Sequence, residues 1–121
     1  MPPRTLDPDG PARVTEVGAA FDRGEDPPQA ALRSAARYLL HVLERDAPGR
    51  SVELRVVPVA AVQCVAGPRH TRGTPPNVVE TDPGTWFRLA TGRLGWAEAV
   101  QSGAVRASGS RADLSSYLPL T

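Results

Sequence analysis

The feature that most constrains the fold is a regular stripe of apolar residues between residues 26 and 47. Its members recur at the three- and four-residue spacing of one helix face, so they predict a helix that buries one side. Asp26 and Pro27 precede the stripe as N-cap and first helical residue, and Ala-Pro-Gly at 47–49 ends it. Such a helix needs a partner surface, most simply a sheet. The stripe consists of Leu32, Ala35, Ala36, Leu39, Leu40 and Leu43.

Three strands are predicted directly after this helix. Residues 52–56 alternate between apolar and charged side chains, the period of a half-buried strand. Residues 59–66 are apolar on both faces apart from Gln63, which predicts a second strand covered on both sides. Residues 77–81 form a short third strand after a loop that contains Gly and Pro.

The block from residue 82 to residue 118 predicts helix, helix, strand and helix. Asp82 followed by proline is an N-cap and first-turn signal. Gly92 and Gly103 stand where two helices end, and residues 105–108 alternate as a fourth strand. The whole order predicts an α+β fold: a mostly antiparallel sheet of four to five strands covered by helices.

The length of 121 residues predicts one domain with one hydrophobic core. Residues 1–12 contain four prolines and few apolar side chains, which predicts a mobile Pro-rich tail, so the single domain spans 13–121. Within it, Val14, Val17 and Phe21 share the spacing of one helix face and indicate a short helix that docks on the rest.

Charge and composition exclude several classes of function. The net charge is only +1 and the arginines are interleaved with acids, so no basic stripe for nucleic acid is present. Neither a charged-then-apolar leader nor an apolar run of membrane-spanning length occurs, which predicts a cytoplasmic protein without stable membrane insertion. The single cysteine, Cys64, lies in an apolar run and is expected to be a buried, inert thiol.

The block from residue 82 to residue 118 resembles the C-terminal half of sterol carrier protein domains, and the chain is most similar to their short actinobacterial members. Each glycine of the motif falls where a helix ends or a strand leaves, and residues 26–120 are compatible with the family in element order. The resemblance is carried by Asp82, Thr85, Trp86, Leu89, Ala90 and Gly92, then by Trp96, Ala99, Gly103, Val105, Ala107 and Gly109, and finally by Leu114 and Leu118.

The resemblance implies an apolar cavity between sheet and helices for a fatty acyl chain, an acyl-CoA or a sterol-like lipid. It implies no cofactor and no catalysis. Some members of the family transfer lipids, and others are accessory domains fused to enzymes. The sequence departs from the family in two ways: four strands can be placed where the family generally has five, and Ser110 stands where the family often has Asp.

Ten apolar residues are candidates for the lining of such a ligand cavity. A pocket for an acyl chain needs roughly 300 Å³ or more. The alternative is that the same side chains close-pack as an ordinary core, because no sequence pattern separates the two roles. The candidates are Leu39, Leu43, Val62, Val65, Trp86, Leu89, Trp96, Val100, Leu114 and Leu118.

A second candidate is the loop that contains Arg69, His70 and Arg72 between Gly67 and Gly73. Guanidinium groups match carboxylates and phosphates in shape and charge, so the loop predicts an anion-binding mouth that gates the cavity. The alternative is a solvated loop whose arginines pair with surface acids.

No catalytic or metal motif is recognisable. Cys64 and His70 are close in sequence, but burial of the thiol in a strand suppresses its reactivity. Structural zinc needs four ligands, and the chain offers only His41, His70 and Cys64, so no metal and no cofactor are expected. Two hypotheses remain: a non-catalytic carrier of an apolar small molecule, or an accessory interaction module of the same fold without a cavity, with a homodimer or an enzyme partner left open.

Overall fold

The computed structural model describes residues 5–68 and 77–120, and over these ranges it confirms an α+β fold. Two helices come first, followed by three strands, two helices and a last strand. A single 3₁₀ turn, Ser115–Tyr117, stands where the closing helix was predicted. The elements are α1 Gly10–Asp22, α2 Gln29–Asp46, β1 Val52–Val56, β2 Ala60–Cys64, β3 Val78–Thr81, α3 Pro83–Ala90, α4 Trp96–Gln101 and β4 Val105–Ser108.

The four strands form one sheet in the order β2-β1-β3-β4. β1 pairs with β2 and β3 pairs with β4 in antiparallel fashion, while β1 and β3 run parallel. The sheet is therefore mostly antiparallel, with a strand count at the lower end of the predicted range. The parallel pairing places the carboxyl ends of β1 and β3 side by side, where the Val57 N–H donates to the Thr81 carbonyl at 3.0 Å.

The helices cover one face of the sheet. The buried strand residues pair across the strands in one register, so they all point to that face. The other face carries charged and polar side chains, and no helix of residues 5–68 or 77–120 covers it, which is the ordinary arrangement of a two-layer α+β domain. The covered face consists of Val52, Leu54, Val56, Val62, Cys64, Val79, Thr81 and Val105, and the open face carries Glu53, Arg55, Gln63, Glu80 and Arg106.

The prediction that the second strand is covered on both sides is wrong. β2 is an edge strand of the sheet, and Ala61 and Gln63 are exposed on its open face. β2 also ends at Cys64, because Val65 has a left-handed φ of 67° that no strand continues. This conformation lets the Val65 N–H donate to the Ala47 carbonyl at 2.7 Å and its carbonyl accept from Ser51, which ties the end of α2 to the edge of the sheet.

The predicted N-cap of the long helix is wrong as well. α2 begins at Gln29, and Pro28 precedes it in an extended conformation with a ψ of 136°. Pro28 forces the residue before it out of the helical region, so Pro27 cannot open the helix and Asp26 lies too far away to cap it. The end of α2 at Ala47 agrees with the sequence.

The predicted short helix near the N-terminus is confirmed and is longer than expected. α1 begins at Gly10, within the segment assigned to the tail, and packs on α2 and α3. Gly10 lies so close to the ring of Tyr38 that a Cβ there would overlap the ring. At the other end, the Phe21 and Phe87 rings stand 5.6 Å apart between centroids. The boundaries 1–12 and 13–121 stay a prediction.

Candidate functional site

Six of the ten predicted lining residues lie inside the packed core. Each is at most 5 % exposed and belongs to one contiguous cluster between the helices and the sheet. Trp86 is a fully buried member of this cluster, and its Nε1–H donates to the carbonyl oxygen of Ala36 at 3.0 Å. In this conformation the six serve as core. They are Leu39, Leu43, Val62, Trp86, Leu89 and Leu114.

The remaining four lie at the surface of that core. Val65, Trp96 and Leu118 are half-buried and pack against it, whereas Val100 is 40 % exposed on α4. Sequence periodicity treated all ten alike, because an apolar residue on the inner face of an element can lie at the centre or at the rim of a core. A ligand-binding role for any of the ten stays a prediction.

Three of the ten come together in one surface groove of about 480 Å³, which we call the C-terminal groove. The end of α3, the first turn of α4 and the C-terminal segment form its walls. Gly92 ends α3 with a left-handed φ of 78°, and the Leu120 N–H fastens the C-terminal segment to the Ala90 carbonyl at 2.9 Å. The groove is lined by Leu89, Gly92, Leu94, Gly95, Trp96, Ala97, Glu98, Ser115, Leu118 and Pro119.

Two other grooves of the described residues are more polar. One, of about 430 Å³, lies between Phe21 and Leu32 and carries the charged side chains of Asp26, Arg33 and Asp82. Another, of about 400 Å³, lies at the ends of β1 and β3. It carries two carboxylates and one guanidinium: those of Glu80, Asp82 and Arg106. The C-terminal groove has one charged lining residue, Glu98, so of these three it suits an apolar molecule best.

Sequence reasoning missed seven of the ten lining residues of this groove, among them Leu94, Glu98, Ser115 and Pro119. Leu94 is the one apolar residue between Gly92 and Gly95 and has no periodic signal, and a proline such as Pro119 ordinarily marks only the end of a helix. Glu98 and Ser115 are ordinary surface residues by sequence and join the groove only because α4 and the C-terminal segment meet there. The tertiary arrangement is what identifies them, since no local pattern marks such a wall.

Two further candidates from the sequence are the Cys64 thiol and the loop with Arg69, His70 and Arg72. Cys64 is buried, and burial, together with the nearby Glu44 charge, raises the pKa of its thiol to about 11, so the thiolate nucleophile is suppressed. The predicted anion-binding mouth, Arg69, His70 and Arg72, lies outside the described residues. Within residues 5–68 and 77–120, no three His, Cys, Asp or Glu side chains are grouped so that they could hold a metal ion.

The molecule is a small two-layer α+β domain, because one face of its four-stranded sheet is covered by helices. An apolar groove lies near the C-terminal end of the described chain. Residues 28–120 match the family model described as bacterial SCP ortholog, where SCP stands for sterol carrier protein. The chain therefore belongs to the sterol carrier protein family. Lipid binding or carriage without catalysis is the general role of this family. No curated protein matches the chain.

No helix in the described part of the chain is both long enough and apolar enough to cross a membrane.

Proposed function

We propose that the chain binds one apolar molecule, a fatty acyl or sterol-like lipid, in the C-terminal groove and catalyses no reaction on it. The observation that carries the proposal is the convergence of Leu89, Trp96 and Leu118 on the C-terminal groove, which has fewer charged lining residues than the other two grooves described above. The general role of the family in lipid binding supports the same conclusion.

The dimensions and the chemistry of the groove support a small ligand. Its volume of about 480 Å³ falls within the roughly 300–1,000 Å³ typical of small-molecule sites. Leucine, tryptophan and proline make up half of its lining residues, and burying apolar ligand surface against them is favourable by about 25 cal/mol per Å². The proposed site is therefore an open groove rather than a cavity within the core.

Contact quenching of Trp96 tests this proposal directly. The chain has two tryptophans, of which Trp86 is buried at 1 % exposure and Trp96 lines the groove. Titration with a bromine-substituted fatty alcohol should quench the emission of Trp96, because bromine quenches on contact, and should leave that of Trp86 intact. The Trp96→Phe variant is the control and should lose the quenching. Equal quenching of both tryptophans, or of neither, would contradict the proposal.

A blocking substitution gives an independent test. Ala97 is exposed and lines the groove, so Ala97→Phe should fill part of it and weaken binding of the same probe at least several-fold. Gln101 is exposed on the same helix but does not line the groove, so Gln101→Phe is the matched control. If both variants bind the probe as the unmodified protein does, the ligand does not occupy this groove.

The second candidate function is an accessory interaction module that keeps the family fold. The observation that favours it is the packed core: Leu43, Trp86 and Leu114 are each at most 1 % exposed in one cluster, so the interior is filled by the protein itself. A module of this kind acts through its surface and binds a protein partner or a second copy of the chain.

Light scattering after size-exclusion chromatography separates the two candidates when combined with the quenching titration. The accessory module predicts a dimer, or a stable complex with an enzyme partner, and no probe uptake. A strict monomer that takes up the probe would exclude it.

A further inference from the structure

The polar side chains around the C-terminal groove present oxygen atoms that accept hydrogen bonds. Glu98 contributes a carboxylate from the first turn of α4. Ser115, in the C-terminal segment, also lines the groove, and its N–H donates to the Asp113 carboxylate at 2.8 Å. The Ser115 hydroxyl oxygen has lone pairs that can accept a hydrogen bond. The indole N–H of Trp96 is a neutral donor and does not offset a full negative charge.

The charged side chains identified at the groove are carboxylates, so the charge there is negative. Among the described residues, Glu98 is the only charged one that lines the groove, and Asp113 adds a second carboxylate next to the lining residue Ser115. The nearest arginine in sequence, Arg93, is held by both carboxylate oxygens of Asp22 at 2.9 Å and is thereby neutralised. A head group at this rim therefore meets acceptors and negative charge, which complement a donor-rich cation and repel an anion.

We propose that the C-terminal groove takes a single-chain lipid with a primary-amine head group and discriminates against carboxylate-headed lipids, with Glu98 as the residue that sets this preference. The inference rests on the proposed function, because it assigns a head-group class to the same groove. A primary ammonium carries three donors and a positive charge, and so it can satisfy Glu98 and Ser115 together.

The expected preference is modest because Glu98 is exposed. Exposed charge pairs change affinity by about 1.4- to 5-fold. Attraction lowers the dissociation constant of the amine, and repulsion raises that of the carboxylate. The ratio of the carboxylate constant to the amine constant should therefore be about 2- to 25-fold. Salt screens such interactions within about 8 Å at physiological ionic strength, so the ratio should shrink as salt is added.

The experiment compares three probes with the same chain and different heads: dodecylamine, dodecanol and dodecanoate. Each is titrated below its micelle concentration, near neutral pH and at low salt, and the quenching of Trp96 by a brominated competitor reports displacement. The variants are Glu98→Gln and, as a matched control, Glu16→Gln, because Glu16 is exposed on α1 and lines none of the three grooves.

We expect the unmodified protein and the Glu16→Gln variant to bind the amine most tightly, the alcohol less tightly and the carboxylate least tightly. Glu98→Gln should reduce the ratio between the amine and carboxylate affinities by about 2- to 25-fold. Equal binding of the three probes, or tightest binding of the alcohol or the carboxylate, would overturn the head-group preference while leaving groove binding intact. Absence of binding by every probe, with the fold of the protein verified, would overturn the proposed function and this inference together.

Discussion

The indole Nε1–H of Trp86 donates a hydrogen bond to the main-chain carbonyl of Ala36 across 3.0 Å, and this bond joins α3 to the middle of α2. Both residues are at most 1 % exposed, so the indole N–H would otherwise be a buried donor without a partner. The bond fixes the rotation of α3 on α2. Because the C-terminal groove begins at the end of α3, this contact also positions one of its walls.

Replacement of Trp86 by Phe should lower the free energy of unfolding by about 1–3 kcal/mol, because the ring loses volume in a packed core and the hydrogen bond is lost. Urea denaturation measures the loss. The control is Trp96→Phe, which alters a half-buried ring at the rim and should cost about 1 kcal/mol or less. Equal losses in the two variants would show that Trp86 is no more important to the core than a surface tryptophan.

The cap of α3 gives a second stability prediction. The Asp82 carboxylate accepts the Thr85 N–H at 2.9 Å and the Thr85 hydroxyl at 2.7 Å, so Asp82→Ala should cost about 0.5–2 kcal/mol. Asp26 has the same Asp-Pro sequence context but lies outside α2, so Asp26→Ala should change stability by about 0.5 kcal/mol or less. If the Asp26 variant loses as much as the Asp82 variant, Asp26 contributes an interaction that its sequence context does not explain.

The contrast between Asp82 and Asp26 shows what sequence can decide about the fold. The alternation in β1, the start of α3 and the left-handed Gly92 were predicted correctly, because each depends on residues within a few positions of one another. At Asp26 two local effects compete. The Asp-Pro pair favours a helix that starts at Pro27, but Pro28 disfavours the helical conformation of the residue before it, so the helix starts at Gln29.

The position of β2 and the parallel pairing of β1 with β3 depend on contacts between distant residues, so the apolar pattern of 59–66 could not reveal an edge strand. Alanine adds to the ambiguity, because Ala61 counts as apolar in a pattern yet is small enough to remain exposed on an open sheet face. The same limit applies to the site. Leu89 and Trp96 can be selected from the sequence because they are apolar, but only the tertiary structure shows that Glu98 lines the same groove.

The thiol of Cys64 should be unreactive in the native protein. Burial raises the pKa of this thiol to about 11, so near pH 8 only about one molecule in a thousand carries the reactive thiolate. A chromogenic disulfide reagent should therefore label native protein slowly and label protein unfolded in urea at once. Labelling of native protein at the unfolded rate would mean that the covered face of β2 opens to solvent much more readily than its burial indicates.

The ion pair between Asp22 and Arg93 predicts a pH dependence of stability. It joins α1, which precedes the family match at residues 28–120, to the loop after α3. Hydrogen bonding to Arg93 holds the pKa of the Asp22 carboxyl below its usual value of 3.8. A lowered folded-state pKa stabilises the fold at pH values above the unfolded pKa, and the contribution is lost as the pH falls through the folded pKa.

Asp22→Asn should therefore lower the free energy of unfolding near neutral pH, and the difference from the unmodified protein should shrink as the pH falls below the usual carboxyl pKa of 3.8 and through the lowered pKa of Asp22. Urea denaturation at several pH values measures both effects. Glu25→Gln is the control, because Glu25 pairs with Arg23 only two residues away and links no two elements. A stability difference that stays constant from neutral to strongly acidic pH would show that Asp22 acts through packing rather than through its charge. In that case α1 would be held on the domain mainly by its apolar contacts, such as that between Phe21 and Phe87.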